Sequence, residues 1–245
     1  MNDAIMRVSN SPRMRRFSAT FAMIYLAVDL IMNYIGLLPL FDKAPMSYLF
    51  ALLNYAVQAP LLFGFVRGVT TREYSLSKVL SAYGETDKYP FYLSYICVGM
   101  AFDIVVDLVG MIGGTVGLVA SAVMIVLRFP IKFLLVGILF DAIFSDGDKP
   151  RFSPSGIIER FTSAVTQNPA RVFVAEIFMM VISFLSIYIA VMLAELLPAH
   201  WTVSYALTCL KDVQFGLIIL SWPVYYLYCK SAYGITAFDE PRGRR

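Results

Sequence analysis

Asp103 and Asp107 stand four residues apart inside one apolar run, and Arg128 and Lys132 stand four apart inside the next. On a helix that spacing puts each pair on a single face. Asp29, Lys211 and Asp212 place further charges in the first and last apolar runs. Charges so placed can pair with one another, line a watery path for ions or protons, or act as an intramembrane acid and base. Each costs about 2.5–3.5 kcal/mol at a bilayer centre. The set is close to neutral, with Asp29, Asp103, Asp107 and Asp212 against Arg128, Lys132 and Lys211, which favours mutual pairing. Glu176, near the start of a fifth apolar run, reads as interfacial and stays outside the set.

No known catalytic spacing accompanies these residues. The aspartates lack the Gly-x-Gly-Asp needed to align a protease dyad. There is no H-E-x-x-H for zinc, no phosphate-binding G-x-x-x-x-G-K-[ST] and no G-x-S-x-G elbow. The cysteines, Cys97, Cys209 and Cys229, have no ligand spacing and read as buried apolar thiols. With one histidine, His200, no metal site and no cofactor are expected. Gly110, Gly113, Gly114 and Gly117 read as turn and close-packing residues, and Trp201, Trp222, Tyr225, Tyr226 and Tyr228 as interface-belt aromatics.

The elements that must position these charges are membrane helices. Of 245 residues, 59% are hydrophobic and only 15% charged, with a mean hydropathy of +0.70. Soluble domains lie near about 45–50% apolar and about 25% charged. That excludes a soluble enzyme and a disordered chain, and a net charge of +3 is too small for a nucleic-acid face. Six apolar runs are long enough to span: 17–38, 46–66, 90–110, 116–144, 170–197 and 204–229. The expected fold is all-α and polytopic, with a tail over 1–16, a six-helix domain over 17–229 and a basic tail over 230–245.

Basic residues set the orientation. Sixteen of the 20 lie in the N-terminal tail, the second-to-third and fourth-to-fifth connections, and the C-terminal tail. The three opposite connections hold only Lys43. Positive charge stays cytoplasmic, so both termini are expected inside a bacterial cytoplasmic membrane, with three hairpins closing outside. Each returning helix carries one proline, Pro60, Pro130 or Pro223, a kink that frees a backbone carbonyl.

Two cytoplasmic connections carry helical stripes. In one, Leu76, Val79, Leu80 and Tyr83 follow Ser75; in the other, Ile157, Ile158, Phe161 and Val165 follow Ser153-Pro154. A leading serine, and proline at the first helical position, mark helix starts. Each reads as a short amphipathic helix in the headgroup plane, either packed on the bundle or offering a docking surface.

The third and fourth helices meet at the Gly113-Gly114 turn and must be antiparallel neighbours. At 1.5 Å per residue, Asp103 lies roughly 10 Å and Arg128 roughly 16 Å below it. A guanidinium reaches across such an offset, so these two are expected to pair, with Asp29 or Asp107 as the alternative acid.

From about Leu53 to Gly234 the order of features resembles the YciC-like family of bacterial integral-membrane proteins. The resemblance rests on Pro60-Leu-Leu-Phe-Gly64 with Arg67, the Ser75–Tyr83 segment, the Ser155–Asn168 segment, and Trp222-Pro223-Val-Tyr-Tyr226 with Tyr233. It implies a six-helix inner-membrane protein and brings no catalytic residues. The expected role is non-enzymatic, assisting transport or membrane-complex assembly. The partners would be the bilayer and another membrane protein or a second copy. The alternative is a small transporter or channel using Asp29, Asp103 and Lys211; a lipid-directed enzyme comes third.

Overall fold

The computed structural model describes residues 1–36, 46–112, 114–144, 153–194 and 203–235. Among them the regular structure is helical: α1 (Asn2–Ser9), α2 (Pro12–Gly36), α3 (Met46–Thr71), α4 (Leu76–Ser81), α5 (Tyr89–Gly110), α6 (Gly114–Phe144), α7 (Pro154–Gln167), α8 (Pro169–Ala194) and α9 (Val203–Ala232). Each of the six apolar runs falls on a helix of 22 to 31 residues. Four helices are long and apolar enough to cross a membrane: α2, α3, the one ending at Gly110, and α8.

Local chemistry sets the helix ends. α2 starts at Pro12, earlier than its apolar run, because Ser11 Oγ accepts a hydrogen bond from the Met14 N–H at 3.3 Å and proline suits the first helical position. The expected N-terminal tail is therefore helical over most of its length, with α1 packed on α9 and α2. At the other end α9 continues through Lys230 to Ala232, so the helix takes in the start of the expected basic tail. α7 begins as its sequence implies, with Ser153 Oγ accepting from the Gly156 N–H at 3.2 Å and Pro154 following. Gly114, at φ +71°, turns the chain into α6, and a Cβ on Gly117 would collide with the Ile112 carbonyl. Gly113, Lys43, His200 and Trp201 lie outside the described residues.

α3 is the central helix. It packs against α2, α5, α6 and α9, and from Ala59 to Thr70 every residue but Arg67 is buried. Over that stretch α3 has no face left for lipid. Around it Phe65 stacks on Phe21 at 4.0 Å and on Phe17 at 5.6 Å, and Tyr25 meets Trp222 edge-on at 5.2 Å. This core fills the end of the bundle where α1, α4 and α7 lie. Along the other half, Ile31, Leu49, Leu108, Met111 and Val116 are exposed. Two expectations are corrected here. Tyr225 and Tyr226 are core residues rather than belt residues, because α9 passes against α3. Cys97 is exposed on α5 instead of buried.

The amphipathic segments pack on the bundle. Val79 and Ile157 are buried, and Leu76, Phe161 and Val165 lie against the core, while Leu80, Tyr83 and Ile158 remain exposed. Prolines 60, 130 and 223 are interior to α3, α6 and α9.

Candidate functional site

α3 supplies what the intramembrane acids bind. Its Asn54, Tyr55 and Gln58 fall within just over one helical turn. Tyr55 Oη donates to Asp103 Oδ2 at 2.5 Å. Gln58 Nε2 donates to Asn54 Oδ1 at 2.8 Å and to Asp29 Oδ1 at 3.3 Å, and Gln58 Oε1 accepts from Tyr25 Oη at 2.6 Å. Two carboxylates from α2 and α5 thus receive hydrogen bonds from neutral side chains on the central helix.

Among the described residues, no ion pair joins Asp103 to Arg128. Among the described residues, Asp103, Asp107, Arg128 and Lys132 are in no ion pair; the four ion pairs found there all lie at the end bearing α4 and α7. Asp103 turns to Tyr55 because α3, which packs against α5, carries a hydroxyl at its level. Asp107 and Arg128 are exposed, Asp103 is also exposed, and Lys132 is half-buried. Arg128 and Asp103 both lie near enough to Tyr55 to act on its hydroxyl electrostatically. Lys211 and Asp212 lie on α9, where the side chains fall outside the described ones.

A second polar group joins α6, α8 and α9. Both carboxylate oxygens of Glu176 are buried without a hydrogen-bond partner among the described residues, as is the Tyr225 hydroxyl. Lys132 attracts Glu176 from beyond ion-pair distance. The Glu176 carboxylate is therefore enclosed within the bundle, where α9 lies against α8. Sequence reading missed it by counting residues from the end of the run. It missed Asn54, Tyr55 and Gln58 by attending to charge; polar residues four apart in the run over 46–66 were the available signal.

At the far end, Arg67 holds α4 in place. It meets Glu85 at 2.5 Å, donates to the Lys78 carbonyl at 2.7 Å and lies over the Phe63 ring at 5.3 Å. Arg160 of α7 pairs with Asp141 of α6. Tyr83 Oη donates to the Val57 carbonyl at 2.5 Å, one turn before Pro60. Burial raises the Tyr83 hydroxyl above its ordinary pKa of 10.0, which keeps it a donor. Among the described residues no group of histidine, cysteine and carboxylate side chains could hold a metal ion.

Among the described residues these features define an all-helical protein with four helices apolar enough to cross a membrane, in which neutral donors on α3 contact Asp29 and Asp103. Compared with protein-family models, with curated proteins and with solved structures, the chain matches none.

Proposed function

We propose that this is a non-enzymatic component of a bacterial cytoplasmic membrane that works by assembling with a second copy of itself, in a role that assists transport or complex formation. In this reading all six long helices span, as three hairpins, and both termini are cytoplasmic. The basic-residue count and the four sufficiently apolar helices support that topology, and the resemblance to YciC-like proteins agrees with it.

The observation that carries the proposal is the exposure of Asp103 and Arg128 on α5 and α6 with no ion pair between them. Left against lipid, each charge costs about 2.5–3.5 kcal/mol. A two-fold axis along the membrane normal keeps every residue at its own depth. Asp103 of one copy and Arg128 of the next are then offset by roughly 6 Å, within reach of an arginine. Acid and base on one surface make it self-complementary. The test is the mass of the protein in nanodiscs, with charge exchange. Asp103→Arg should shift the dimer to monomer, and Asp103→Arg combined with Arg128→Asp should restore it. A monomeric wild type would end the proposal.

A transporter is the second reading, favoured by the buried Glu176 carboxylate facing Lys132. Proton or ion flux into proteoliposomes that is lost in Glu176→Gln would support it.

A further inference from the structure

A cavity of about 610 Å³ opens at the basic end, walled by α1, the end of α3, the start of α8 and the end of α9. Arg7, Arg72, Arg171 and Lys230 line it, against a single carboxylate, Asp3. These four cations come one from each of the four basic segments of the chain, so the fold gathers into one place what the sequence spreads over more than 220 positions. Basic residues near helix ends hold orientation wherever they sit; convergence on one cavity is a further property.

Two of the four occupy positions that local structure disfavours for an arginine. Arg72 follows the last residue of α3 at φ 64°, a left-handed conformation where glycine ordinarily ends a helix. Arg171 lies in the first turn of α8, where the helix dipole opposes a positive charge. Arg7, Arg72 and Arg171 are exposed and in no ion pair among the described residues. Arg171 spends one donor on the Ser231 carbonyl at 3.0 Å, leaving most of its five free for another acceptor. Lys230, at 6% exposure, donates to the Thr70 carbonyl at 3.2 Å and fixes the cavity wall where α3 meets α9.

We propose that this cavity binds a phosphate-type anion: a free phosphate or the phosphate of an acidic lipid headgroup. Guanidinium forks match phosphate oxygens in geometry and charge, and the volume lies in the range of small-ligand sites. The exposed Ile5 and Met6 of α1 would lie at the acyl boundary beside a bound lipid. The lipid source rests on the proposed orientation. A nanodisc leaves the cavity open on whichever side it faces, so the binding result and the topology can fail separately.

The experiment uses full-length protein in phosphatidylcholine nanodiscs, titrated with inorganic phosphate and, separately, with dioctanoyl phosphatidylglycerol. The readouts are native mass spectrometry and the unfolding midpoint. Saturable binding of the lipid alone assigns the site to a headgroup; binding of phosphate alone at comparable affinity assigns it to the free anion. In either case Arg72→Gly and Arg171→Gln should each weaken binding at least tenfold. Arg72→Gly relaxes the left-handed backbone, so its unfolding midpoint without ligand should not fall, which separates lost binding from lost folding. Lys78→Gln, whose lysine does not line the cavity, should leave binding unchanged. Absence of saturable binding by both probes, or binding indifferent to Arg72→Gly and Arg171→Gln, would overturn the proposal.

Discussion

α3 with α4, and α6 with α7, are built on one plan: a proline-bearing helix, then a short amphipathic helix, with an ion pair that ties back α7 itself in one unit and the segment just after α4 in the other. The two differ in which side holds the cation. In the first, Arg67 belongs to the central helix and reaches a carboxylate, a carbonyl and a ring, with both charged side chains mostly covered. In the second, the cation sits on the outer helix; Arg160 is 58% exposed while the side chain of Asp141 is only 11% exposed. Close approach differs as well. A Cβ on Gly64 would come within 2.6 Å of Val79 Cα, backbone of α4, whereas one on Gly137 of α6 would run into the Tyr233 hydroxyl, the tip of a side chain that follows α9. α4 is thus seated against α3 backbone to backbone, and α7 rests on side chains, Phe161 against Phe133 at 6.2 Å. Backbone contact cannot relax around an added atom; a side chain can change rotamer.

The largest expected effect follows directly. Gly64→Ala should cost about 3 kcal/mol, at the upper end of overpacking, and Gly137→Ala about 1 kcal/mol. Equilibrium unfolding in mixed dodecyl maltoside–SDS micelles measures both. Equal losses would mean that α4 moves as freely as Tyr233 and would erase the distinction. Next come the clamps. Arg67→Gln should cost about 2–3 kcal/mol because three contacts vanish at a covered site. Arg160→Gln should cost about 1 kcal/mol, since its exposed guanidinium is well hydrated. A larger loss at Arg160 than at Arg67 would reverse the ranking of the two units.

Much of this plan was legible in the chain. Apolar runs of membrane length marked the six long helices among the described residues, four of them long and apolar enough to cross a bilayer. Ser153-Pro154 marked the start of α7, and the stripes of α4 and α7 identified which residues turn inward. What was not legible depends on which helices touch. Depth alone matches Asp103 with Arg128; Tyr55, supplied by a helix distant in sequence, takes the carboxylate instead. Tyr225 and Tyr226 looked like belt residues until α9 proved to pass along α3. The anion cavity was invisible for the same reason, because its four cations become neighbours only after packing.

A smaller effect tests the tyrosine bridge that the first unit sends from its own connection to α3. Tyr83→Phe removes the donor to the Val57 carbonyl and should cost about 1 kcal/mol, a typical net hydrogen bond. Because burial raises the folded-state pKa of Tyr83 above 10.0, this stabilisation is fully present below the unfolded value. It is lost as the pH rises through the folded value. The difference between wild type and Tyr83→Phe should therefore stay constant from pH 6 to pH 9. A gap that closes within that range would show that the hydroxyl is not the donor.

The smallest effect lies where the two units should agree. Leu80 and Ile158 are 55% and 60% exposed, each next to a residue that is buried, Val79 or Ile157. Truncating the outward member removes little area from contact with protein, so Leu80→Ser and Ile158→Ser should each change stability in micelles by no more than about 0.5 kcal/mol. In liposomes both should lose a little more, because the apolar side chain then leaves the headgroup–acyl boundary, at roughly 25 cal/mol per Å². Val79→Ser and Ile157→Ser, which empty packed positions, should by contrast cost well over 1 kcal/mol each. The informative outcome is a Leu80→Ser loss above about 1 kcal/mol in micelles. It would mean that α4 buries its second face as well, and that the contrast between a seated α4 and a resting α7 extends to the outward face of the two short helices.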